Sequence, residues 1–206
     1  MRRVTFLIMG LVLVVCFGCG GLKGYVESYA EIGRERGMSE EYLNALKTWT
    51  RNETAYSEFE TKFYISSTYK SGTFNQAFVK ERARLLMLSN AERSRREGIQ
   101  SEVSAEFSEF FFYAYTAVRA ANDFADRNST WRVFLLDEAG RQIDPLELRK
   151  VEKVTPIMES FFPYIHKYYG SCYTVKFPRQ SSPRLKLVFA SHLGKMELLW
   201  DLDNLR

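Results

Sequence analysis

Three side chains in the body of this chain could carry out proton or nucleophile chemistry: His166, His192 and Cys172. Histidine is the usual general base and metal ligand, yet no HxxxH, HxH or CxxC spacing surrounds either histidine, so no metal site is expected. His166 and Cys172 lie six residues apart and could pair as base and nucleophile of a thiol enzyme. Against that pairing, the segment has no nucleophile signature, and Cys172 falls in a run that alternates like a strand. Glycine-rich phosphate loops, a GxSxG elbow and a Walker lysine are absent, so no catalytic residue is assigned and no cofactor is expected. One further cluster is basic: Arg82, Arg84, Arg93, Arg95 and Arg96. Such a face could meet anionic lipid head groups, each cation contributing about 1 kcal/mol near the surface, but Glu81, Glu92 and Glu97 interrupt it and favour a solvated helix face.

The strongest chemical signal is N-terminal. Arg2 and Arg3 precede an uncharged apolar run from Val4 to Val15, the pattern of an export signal. As a helix, a dozen residues would cover about 18 Å, against the ~30 Å of hydrocarbon that a transmembrane helix crosses. The run ends in Cys16-Phe17-Gly18-Cys19-Gly20-Gly21, which resembles the lipobox of bacterial lipoproteins, with small Gly18 just before Cys19. The resemblance covers about a tenth of the chain. It implies cleavage ahead of Cys19 and acylation of that residue, with residues 1–18 removed as signal peptide. Gly20 in place of Asp after the cysteine implies the outer membrane rather than the inner one, by similarity to enteric lipoprotein sorting. In this family Leu is preferred where Cys16 stands. Taking Cys16 as the acceptor would instead put Val15 where a small residue belongs.

Composition bounds the rest. Hydrophobic residues make up 46% and charged residues 26%, as in an ordinary globular protein, so disorder is not indicated. The formal charge is +4, and +2 once Arg2 and Arg3 are removed, which gives no support to nucleic-acid binding. With Cys19 acylated, Cys172 is alone and the core must hold without a disulfide.

The elements that would position these groups are of mixed type. Residues 25–51 read as a helical hairpin, with Ser39 as N-cap ahead of the stripe Tyr42, Ala45, Leu46 and Trp49. Phe59 to Ser67 alternates like a half-buried strand. Thr73 with Gln76 forms a capping-box pattern that opens a helix of about 74–96. Residues 107–116 are densely aromatic. Their spacing also fits a helix, but the aromatic content favours a strand buried on both faces, with core the preferred role over a ligand box. After Asn122 the pattern turns repetitively β, with strands expected over 131–136, 142–143, 146–154, 173–177, 185–189 and 196–200.

The fold class expected is therefore α+β: an antiparallel β-sandwich of about seven strands, immunoglobulin-like, with an N-terminal helical hairpin and one inserted helix. The expected division is residues 19–55 for anchor, tether and helices, and 56–206 for the sandwich. The function expected is that of a lipid-anchored envelope protein with a non-catalytic interaction module. Its partners would be the membrane, through the N-terminal lipid, and another envelope protein or cell-wall material. The alternatives are an anchored hydrolase or thiol enzyme using His166 and Cys172, and a secreted periplasmic binding protein without lipid.

Overall fold

The computed structural model describes residues 29–57 and 60–205. The segment expected to be an export signal, Cys19 and the start of the expected N-terminal hairpin lie outside the described residues. Helix α1 covers 29–35 and is followed by α2, Glu40–Trp49, whose N-cap Ser39 accepts from the Tyr42 amide at 3.3 Å. Glu40 and Glu41 sit in its first turn, favourably placed at the positive end of the helix dipole. Tyr42, Leu43, Leu46 and Trp49 form its buried stripe.

Nine strands follow among the described residues, in two antiparallel sheets. The first contains β1 (Thr50–Ser57), β2 (Glu60–Tyr69), β3 (Phe107–Thr116), β6 (Glu147–Lys150) and β7 (Ser171–Pro178), in the order β1-β2-β3-β7-β6. The second contains β4 (Arg132–Leu136), β5 (Gln142–Ile143), β8 (Arg184–Ser191) and β9 (Gly194–Asp201), in the order β5-β4-β8-β9.

Strand β3 is the hinge of the architecture because both its faces are buried. Phe110 and Phe112 point to the second sheet, with ring centroids 5.1 Å from Trp200 and from Phe189 respectively. Phe111, on the opposite face, lies 4.4 Å from Phe162 in a helical layer. That layer consists of α1, α2, the inserted helices and a short helix α5 (Pro156–Phe161), so three layers stack with the five-stranded sheet in the middle. The α+β sandwich expected from the sequence is what the chain forms, and residues 107–116 are the doubly buried strand.

Several element bounds are corrected. The helical hairpin does not reach residue 51, because β1 begins at Thr50. As an edge strand β1 shows no apolar alternation. Its inward residues Arg51 and Glu53 bond instead to the backbone of β9, Arg51 donating to the Leu199 carbonyl at 3.0 Å and Glu53 accepting from the Glu197 amide at 3.0 Å. These side chains link the two sheets at that edge. The inserted helix of 74–96 is two helices, α3 (Gly72–Leu85) and α4 (Asn90–Glu106). Met87 at φ 51° turns the chain between them, and a capping box of Ser89 and Glu92 starts the second. The cap of α3 is Ser71, accepting from the Phe74 amide at 3.1 Å, not Thr73. The strand expected over 146–154 shortens to Glu147–Lys150, and Thr155-Pro156 begins α5 rather than only ending a strand.

Candidate functional site

Cys172 and His166 do not form a dyad. Cys172 lies on β7 opposite Tyr113, is 1% exposed, and burial with the nearby Glu159 charge pushes its thiol up to about 12. A thiol held protonated in this way is a poor nucleophile at neutral pH. No hydrogen bond joins it to His166 among the described residues. His192 is exposed on the β8–β9 turn. No group of three or more His, Cys, Asp and Glu that could hold a metal occurs among the described residues. The five arginines divide between α3 and α4. Arg84 is committed to Glu81 at 2.6 Å and to the Gly37 carbonyl, Arg93 to Glu97 at 2.7 Å, and Arg95 and Arg96 line a shallow recess with Glu92 and Ile99.

His166 instead joins a different constellation. The helical layer covers only part of the outer face of the five-stranded sheet. Where the cover ends, a cleft of about 390 Å³ opens, and five tyrosines line it. Strand alternation brings Tyr64 of β2 and Tyr113 and Tyr115 of β3 to this face, with Tyr64 directly opposite Tyr115. Strand β1 contributes Thr54 and Tyr56. A register shift between Ala55 and Tyr56 pairs Tyr56 with Thr61, where an unbroken ladder would have paired it with Lys62. The hydroxyl-bearing Thr61 lines the cleft.

The far wall is the segment after α5, which supplies His166 and Tyr169. Three contacts hold it. Phe162 packs on Phe111, Tyr164 is hydrogen-bonded to Thr68 at 2.8 Å, and Tyr113 donates to the His166 carbonyl at 3.1 Å. Gly170 permits the last approach: a Cβ there would stand 2.3 Å from the Ala114 carbonyl oxygen and 2.5 Å from the Tyr113 ring. Tyr29, in α1, is hydrogen-bonded to Tyr64, so the described chain begins beside the cleft.

Among the described residues the lining contains no Asp, Glu, Lys or Arg. What it offers is aromatic faces, hydroxyls that both donate and accept, and one imidazole. Tyr56 and Tyr169 are 67% and 73% exposed at its mouth. Of the groups singled out in the sequence, His166 lies here together with Tyr113 and Tyr115 of the aromatic run 107–116, for which the sequence favours core over a ligand box; the tyrosines come from four separate segments, so no single local motif announces the cleft.

No family model and no curated protein matches this sequence. A solved structure of a novel protein of unknown function from Burkholderia pseudomallei K96243 is similar at 10% identity, over 87% of this chain and 91% of that one, with a TM-score of 0.43.

Proposed function

We propose that this is a lipid-anchored protein of the bacterial cell envelope, held at the outer membrane through Cys19, whose sandwich is a non-catalytic binding module. The observation that carries the reading is the tyrosine-lined cleft, an open groove rich in the side chains that dominate recognition surfaces. The lipobox-like leader supplies the place, and the position of Tyr29 relates place to site. Only nine residues lie between Cys19 and Tyr29, a reach of at most about 35 Å when fully extended, and Tyr29 touches the Tyr64 that lines the cleft. The cleft would then work close to the bilayer surface, on components of the envelope.

The test is site-directed photocrosslinking in cells. A crosslinking amino acid at Tyr169 is expected to trap an envelope component. The same group at exposed Arg95, on α4, serves as the control and is expected to trap none. Equal trapping at both positions, or none at Tyr169, would contradict the assignment of the cleft.

A further inference from the structure

From the chemistry of the cleft we infer that its ligand is an uncharged saccharide, taken up as a short glycan segment; the inference rests on the cleft being the binding site proposed above. Volume comes first. About 390 Å³ is near the small end of the roughly 300–1,000 Å³ typical of small-ligand sites, room for one or two sugar rings rather than a folded partner.

Charge is the second constraint. Among the described residues no carboxylate, ammonium or guanidinium lines the cleft, so an ionic ligand would lose hydration there without gaining a counter-charge.

Shape and hydrogen bonding form the third. The rings of Tyr56 and Tyr169 offer exposed π-faces at the mouth, suited to the C–H face of a pyranose. The Thr54 and Thr61 hydroxyls and the His166 imidazole can donate to and accept from sugar hydroxyls. A wholly apolar ligand would leave these groups unpaired. An extended peptide lying across the floor would find no backbone partners there, because β2 and β3 are paired with sheet neighbours on both sides.

The experiment is a binding titration of the full-length protein, purified in a detergent without a sugar head group, with N-acetylglucosamine trimer and with maltotriose. Isothermal calorimetry supplies the readout. Saturable binding of at least one trimer is expected. Tyr169→Ala or Tyr56→Ala should weaken it by roughly tenfold, while Tyr169→Phe, which keeps the ring, should bind within about threefold of the parent protein. Both tyrosines are exposed, so the variants should unfold at the parent's denaturant midpoint, which separates lost binding from lost fold. Co-sedimentation with isolated cell-wall sacculi distinguishes a wall-borne glycan from a free oligosaccharide as the source. Absence of saturable binding to both trimers and to sacculi, or binding indifferent to both alanine variants, would overturn the inference. If Tyr169 traps an envelope protein while no saccharide binds, the saccharide assignment falls and the binding cleft stands.

Discussion

The hydroxyl of Tyr113 donates to the backbone carbonyl of His166 at 3.1 Å, and this bond ties the segment after α5 to the central strand of the sheet. Tyr113 belongs to the cleft floor and His166 to its wall, so this bond is one of the contacts that join the two. Tyr113→Phe removes the donor and keeps the ring. It should lower unfolding free energy by about 1 kcal/mol, measured by urea denaturation, with increased amide exchange in residues 164–170. Unchanged exchange there would mean that the bond does not hold the wall.

Gly170 makes that closeness sterically possible. Gly170→Ala would force a methyl group against the Ala114 carbonyl and the Tyr113 ring, neither of which is the free end of a flexible chain. A loss of about 1–3 kcal/mol is expected, together with an outward shift of the wall. A variant as stable as the parent would show that the segment has other ways to seat.

How much of this was legible in the sequence depends on where each residue's partners lie. Strand β3 could be identified from aromatic density because its burial on both faces leaves a local signature. Strand β1 could not, since Arg51 and Glu53 earn their inward positions by bonding to β9 nearly 150 residues away, which no local period reports. The break between α3 and α4 did leave a mark, the Ser89 and Glu92 capping box, but the apolar stripe running toward Leu88 conceals it. The cleft was hidden for the same reason as β1. Its tyrosines converge from β1, β2, β3 and the segment after α5, and within β3 Tyr113 is buried in the core even as it joins Tyr115 in lining the site.

Glu81 is a buried carboxylate at the junction of α3 and α2. Burial opposes its charge, but Arg84 and the hydroxyl and amide of Ser39 outweigh that and hold its pKa below the ordinary glutamate range. A lowered folded-state pKa contributes stability that is present above the unfolded value, near 4.5, and is lost as pH falls through the folded one. Glu81→Gln should therefore cost on the order of 2 kcal/mol at pH 7. In denaturation curves the gap between variant and parent should narrow below about pH 4.5. A gap independent of pH would assign the effect to packing.

Cys172 should behave as a core side chain. With the thiol 1% exposed and pushed up to about 12, a maleimide at pH 8 should leave it unmodified in the native protein and label it fully after denaturation. Rapid native labelling would reopen the thiol-enzyme alternative.

The proposed attachment of the protein to the envelope through Cys19 is tested most directly by the intact mass of the protein extracted from membranes. The expected product begins at Cys19 and carries the added mass of its acyl chains. A product retaining Met1, or one cleaved without acyl mass, would contradict it.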